Sequence, residues 1–204
     1  MKVSMRAAGV ALATALCLDA PSALGSRLGI GGESGNPNDC TDCHFGATGA
    51  VVQILASTFV PFGQTRSFRF LVSGGPDPPP QRICGFNVST NGGMLVPSGA
   101  DVRYADAPFS AELTHSTPHN YDYGLPVPVC EFDFEWTAPQ VAGTYTIWGA
   151  GNSADNNFFA DGDSIAKTMH SVVVPEPTGS EAGWFALVVL CGLRADRSRR
   201  RMRM

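Results

Sequence analysis

The sequence predicts an all-β domain folded as an antiparallel sandwich, and three observations lead there. Apolar and polar residues alternate along several short runs: in "FDFEWT", Phe132, Phe134 and Trp136 fall on one face, Asp133 and Glu135 on the other. Proline and glycine interrupt the chain at short intervals, most densely in "SGGPDPPP" from Ser73 to Pro80, which reads as a rigid loop. Between Gly46 and Val174 no stretch carries the periodicity of a long amphipathic helix.

In chain order, residues 1–25 have the make-up of a secretory signal peptide. Lys2 and Arg6 precede an apolar stretch from Ala7 to Leu18, and the small residues Ser22, Ala23 and Gly25 follow. The stretch is too short for a spanning helix, so cleavage near Ala23 or Gly25 is expected. Leu16 stands before Cys17, where a lipoprotein signal places a small residue, which favours plain cleavage over lipidation. Residues 26–50 form a short N-terminal segment in which Gly29 to Asn38 reads as a flexible run. Residues 51–174 form the sandwich, with strands expected at 51–55, 67–72, 85–89, 112–115, 132–139, 143–151 and 169–174. Phe132, Phe134, Trp136, Tyr145, Ile147 and Trp148 are read as mostly core or near-core residues.

Residues 175–204 form a tail. Pro175, Glu176 and Pro177 lead to an apolar run from Ala182 to Leu193, and six arginines lie in the last eleven residues. Arginine after an apolar run acts as a stop signal and implies membrane association. A short buried helix leaves the arginines without a purpose, and a basic nucleic-acid tail conflicts with export.

The whole chain has a formal charge of −4, but most of its positive charge lies in the two ends. Between Ser26 and Val174, fourteen acidic residues face six basic ones (Arg27, Arg66, Arg69, Arg82, Arg103 and Lys167), a formal charge of −8. This argues against DNA, RNA and anionic membrane surfaces as partners and suits a basic protein partner, or a cation.

Cys84 and Cys130 have no His or Cys company, and in an oxidising compartment such a pair is expected to form a disulfide. It would clip the strand at 85–89 to the one at 131–135. Cys40-Thr41-Asp42-Cys43-His44 is the c-type haem attachment pattern: two thiols at this spacing reach the two vinyl carbons of one haem, and the adjacent imidazole reaches the iron. A zinc site would need two more ligands. A thioredoxin-like pair would need a strand before it and a helix after it. A structural disulfide within the motif is the competing reading.

The tail resembles bacterial C-terminal sorting signals of the Pro-Glu-Pro type, which are cut off after export. The chain as a whole resembles bacterial exported monohaem (Cys-x-x-Cys-His) proteins whose body is a reelin-like, immunoglobulin-like sandwich ahead of a choice of C-terminal anchors. The matching stretches are "CTDCHFG", "GFNVSTNGG" (Gly85 to Gly93), "LTHSTPH" (Leu113 to His119) and Phe132 to Asn157. The resemblance implies that Cys40 and Cys43 bind one haem c covalently and that His44 is its proximal ligand. It places His115 in the family's Thr-His-Ser position. The Pro76 to Pro80 insertion and the Cys84/Cys130 pair depart from the pattern.

A low-spin electron carrier takes a second axial ligand. The candidates are His115, His119, Met94, Met169 and His170. His115 ranks first because its polar loop lies between strands. Without such a ligand, the open iron would suit peroxide or small-gas chemistry. Asp155, Asp161 and Asp163 offer oxygens for Ca²⁺ but do not match a helix-loop-helix calcium loop, and Asn, Asp and Gly equally form turns. No Ser-His-Asp set stands out.

The expectation is therefore an exported monohaem protein of the periplasm, outer membrane or cell surface that transfers one electron at a time to a basic redox partner. Two alternatives stand beside it: a structural or adhesive surface sandwich without a redox role, and an open-site haem enzyme acting on peroxide.

Overall fold

A computed structural model describes residues 27–35, 37–76 and 82–177. The signal peptide and the apolar and arginine-rich parts of the tail lie outside the described residues. Eleven strands form two facing sheets among them: β1 (Phe45–Gly46), β2 (Val51–Leu55), β3 (Thr65–Ser73), β4 (Ile83–Thr90), β5 (Met94–Pro97), β6 (Val102–Tyr104), β7 (Leu113–His115), β8 (His119–Asn120), β9 (Val129–Thr137), β10 (Gly143–Ala154) and β11 (Asp161–Val174). The larger sheet runs β1-β11-β10-β4-β7-β6, with β8 also on β4, and the smaller runs β2-β3-β9-β5.

Alternation explains the sandwich. Phe68, Phe70 and Val72 of β3 and Cys130, Phe132, Phe134 and Trp136 of β9 face inward and are buried. Cys84, Phe86 and Val88 of β4 meet them from the other sheet. Phe86 stacks on Phe132 at 4.3 Å between centroids, and Phe70 lies 5.5 Å from Phe86. Each such ring contributes about 1.5–3 kcal/mol on burial, so these contacts dominate the cohesion between the sheets. The Cys84–Cys130 disulfide is present and joins β4 to β9 across the core.

Several expectations are refined. All seven expected strands form, but β10 and β11 continue to Ala154 and back from Asp161, so a stretch read as turn is mostly a long hairpin. β1, β5, β6 and β8 have two to four residues, too few to show a period. Of the residues read as core or near-core, Ile147 occupies the inward position, and the pleat turns Trp148 to the opposite face, where it is half-buried. The sandwich is not purely antiparallel, because β1 pairs with β11 in parallel as the N-terminal segment returns along that edge. Among the described residues no helix is long and apolar enough to cross a membrane, and the apolar run from Ala182 to Leu193, on which the membrane expectation rests, lies outside them.

Candidate functional site

The run at Gly29 to Asn38, expected to be flexible, is pinned as a strap over the outer face of the larger sheet. In β4, Cys84, Phe86 and Val88 point into the core, so Gly85, Asn87 and Ser89 point out. Asn87 Oδ1 accepts the Glu33 N–H at 2.9 Å, and the Ser34 and Ser89 hydroxyls meet at 2.6 Å. Glu112 Oε2 accepts the Gly32 N–H at 2.7 Å, and Arg103 donates to the Leu28 carbonyl at 2.7 Å. Glycine is what allows this close approach. Gly29 has φ +68, and a Cβ there would lie 2.3 Å from Thr114 Oγ1.

Beyond the strap, Cys40–Asp42 form one turn of 3₁₀ helix. Asp39 caps it by accepting the Thr41 N–H at 3.0 Å, and its other oxygen pairs with Lys167 at 3.1 Å. The Thr41 hydrogen bonds and Lys167 hold the Asp39 carboxyl below its usual range, against the effect of burial. The Cys40 thiol is packed in by protein, although the residue keeps some exposed surface. Desolvation, aided by the Glu33 and Asp39 carboxylates, pushes its pKa up to about 12, so at neutral pH it is a protonated thiol of low reactivity.

His44 follows the turn. Its Nδ1 donates to Asp163 Oδ2 at 2.5 Å. Asp163, at the start of β11, is fully buried, and its charge is met by two further donors: Asn152 Nδ2 at 3.2 Å and the Asp155 N–H at 3.2 Å. His115 fills a break in the larger sheet. β7 pairs with β4 at Asn87 and Val88 and β8 pairs with it at Ile83 and Cys84, which leaves Phe86 between them without a strand partner on that side. The Phe86 N–H donates to His115 Nδ1 at 3.1 Å, and Thr114 Oγ1 donates to the Phe86 carbonyl at 2.9 Å. A Cβ at Gly85 would lie 2.5 Å from His115 Cε1, so glycine makes room for the ring.

Strap, turn and sheet together enclose a pocket of about 350 Å³. That is within the range of small-molecule sites, about 300–1,000 Å³. Its wall includes Ile83, Ile30 and, from the tip of the β10–β11 hairpin, Phe158 and Phe159. Both tip rings are largely exposed, and Arg27 lies 4.8 Å over that of Phe158. Phe158 has φ +71, a conformation a bulky residue rarely takes.

Four residues singled out from the sequence, Cys40, Cys43, His44 and His115, all line this pocket. The other axial candidates do not. His119 meets the Glu131 carbonyl at 3.0 Å, His170 meets the Ser57 carbonyl at 3.2 Å, and Met94 and Met169 are exposed. Sequence reasoning missed Asn152, Phe158 and the pairing of Asp163 with His44. The only signal was an Asn/Asp-rich run that looks like turn chemistry, and part of it is: Asp155 Oδ1 accepts the Asn157 N–H at 3.0 Å.

No family model and no curated protein matches the chain. Among solved structures it is similar to AvmM, which catalyses macrocyclization in alchivemycin A biosynthesis, at 10% identity and TM-score 0.37, over 64% of this chain and 91% of that one. It is also similar to the CARDB domain of a Pyrococcus furiosus protein, at 13% identity and TM-score 0.35, over 65% and 98% of the two chains. A third is a cohesin module from a family 33 glycoside hydrolase of Clostridium perfringens, at 8% identity and TM-score 0.36, over 64% and 99%. What the chain shares with them, distantly, is an all-β sandwich-like fold.

The reading as a monohaem one-electron carrier, with its haem, iron and electron-transport attributes, is corrected on the chemistry of the described residues. The disulfide of the described fold is Cys84–Cys130, and neither Cys40 nor Cys43 takes part in it. Among the described residues no three or more His, Cys, Asp or Glu side chains are grouped to hold a metal ion. His44 Nδ1 and His115 Nδ1 instead tie the strap to β11 and close the ladder beside Phe86. A sandwich without a redox role is the better account.

Proposed function

We propose that the chain is an exported, surface-directed binding module: a disulfide-clipped β-sandwich without a redox role, whose strap and larger sheet hold a small, largely apolar ligand. The observation that carries this is the pocket of about 350 Å³ between a strap held by hydrogen bonds and a sheet face, with two exposed aromatic rings at its mouth. Exposed aromatic residues beside a concave site are a mark of binding surfaces. The signal-like N-terminus and the inter-sheet disulfide support an oxidising compartment. The likeness of the tail to Pro-Glu-Pro sorting signals, and of the body to reelin-like sandwiches, supports attachment at or release from the cell surface. The acidic body suits a basic partner there.

The test is an NMR titration of the folded, oxidised protein with naphthalene. Shifts concentrated at Ile30, Ile83, Asn152 and Phe158 are expected. Shifts scattered over the surface, or none at saturation, would remove the binding reading and leave a purely structural domain.

A further inference from the structure

We infer that the ligand of this pocket is an apolar carboxylate, its hydrocarbon body enclosed between strap and sheet and its anionic group held at the mouth by the Arg27 guanidinium. The inference rests on the binding reading above and adds the charge of the ligand.

Arg27 begins the described chain, is exposed to solvent and lies on the cavity wall. Its guanidinium is placed by a contact, 4.8 Å over the ring of Phe158. A guanidinium resting on a ring keeps its N–H edge available, and that planar edge matches the two oxygens of a carboxylate. Elsewhere on the body such charges are already met: Arg69 pairs with Glu131 and Asp133, Arg103 with Asp106, and Lys167 with Asp39. Among the described residues no carboxylate pairs with Arg27, so its charge remains for a group that enters the mouth. The carboxylates nearby do not oppose an anion there. Asp163 is 1% exposed and is met by His44 and the Asp155 N–H, and Glu33 Oε2 is buried. Asp155 turns both oxygens to Asn157, accepting its N–H at 3.0 Å and its Nδ2 at 3.1 Å. The apolar lining from Ile30, Ile83 and the two rings at the hairpin tip takes the hydrocarbon body. The acidic body as a whole repels anions at long range, so a preference for a carboxylate has to come from a local contact and can be assigned to one residue.

Naphthoate, naphthamide and naphthylmethylamine, all substituted at the same ring position, probe this directly: they share one ring system and carry a negative, no and a positive charge at neutral pH. Their affinities are compared by NMR titration on the intact, oxidised protein. Naphthoate is expected to bind in the pocket about fivefold more tightly than naphthamide, the size of a well-formed ion pair at an exposed site, with the amine weakest. In Arg27→Gln the ratio of naphthoate to naphthamide affinity should fall to about one or below, because only the acidic body then acts on the charge. Arg27 is exposed, so its replacement leaves the core intact, and the ratio is internal to each protein, so a general loss of affinity does not imitate this result. Equal binding of naphthoate and naphthamide in the native pocket, or tighter binding of the amine, would overturn the inference and leave the binding reading standing. A preference for naphthoate that survives in Arg27→Gln would assign the anion contact to another group and overturn it equally. Failure of all three probes to shift any pocket residue would overturn the inference and the binding reading together.

Discussion

At the scale of single residues, the pocket is made by side chains that carry two roles. Phe158 walls the mouth yet sits at positive φ, which costs about 1–2 kcal/mol for a residue with a Cβ. Its contact with Arg27 returns about 0.5–1 kcal/mol at an exposed site. Phe158→Gly should therefore stabilise the fold by about 0.5–1 kcal/mol in a urea melt while weakening naphthalene binding. A loss of stability would show that the ring contributes more than its backbone costs. Cys40 illustrates burial acting on chemistry. Its thiol should alkylate far more slowly in the native protein at pH 8 than in the urea-unfolded chain, read by mass spectrometry of the modified peptide. The sign of the linkage follows. With the native pKa raised from 9.0 to about 12, the unfolded chain loses this proton first, so the contribution to stability is complete below pH 9 and declines between 9 and 12. Cys40→Ser should flatten the fall in Tm over that window. An unchanged slope would remove Cys40 from the account.

Among the elements, the strap is the one whose position depends most on particular residues. It has no apolar periodicity and is held by backbone donors on the Asn87 and Glu112 side chains and by the pair of Ser34 and Ser89 hydroxyls, with Gly29 allowing its close approach to the sheet. Gly29→Ala places a Cβ where Thr114 Oγ1 and the His115 carbonyl stand, in a backbone conformation alanine disfavours. A cost of about 1–3 kcal/mol is expected from overpacking. The change should appear as faster hydrogen exchange at Gly32 and Glu33 while β3 and β9 keep their protection. Uniform loss of protection, or none, would mean that the strap is not an independent unit. The long β10–β11 hairpin has the complementary role: its sheet face supplies Asn152 and Asp163, and its tip reaches past the sheet edge to the pocket mouth.

For the whole molecule, the disulfide and the aromatic contacts between sheets act together. The 46-residue separation between Cys84 and Cys130 corresponds to about 4 kcal/mol of stabilisation in the chain-entropy model. Replacing both with alanine should lower the urea midpoint by a matching amount. A change under about 1 kcal/mol would mean that the stacked Phe86 and Phe132 already restrain the two sheets. The sandwich was legible in the sequence because inward and outward positions alternate along β3 and β9, and a two-residue period survives whatever the neighbouring strand is. The short strands were not legible, since two to four residues hold no period. Ile147 and Trp148 were read together as core or near-core, and only the pleat separates them, turning Ile147 inward and Trp148 to the opposite face.

By itself the sequence determined the fold class, the inter-sheet cysteine pair and the four residues Cys40, Cys43, His44 and His115, which share one pocket. These depend on local pattern and on residue types with few roles. Only the tertiary structure decided what surrounds them: a buried Asp163 under His44, a ladder break filled by His115, and an unpaired oxygen on Asn152. The first joins residues 119 positions apart and the second residues 29 apart, through strand register and a strap laid across a sheet face. A motif read along the chain names the side chains, but their hydrogen-bond partners are set by packing in three dimensions.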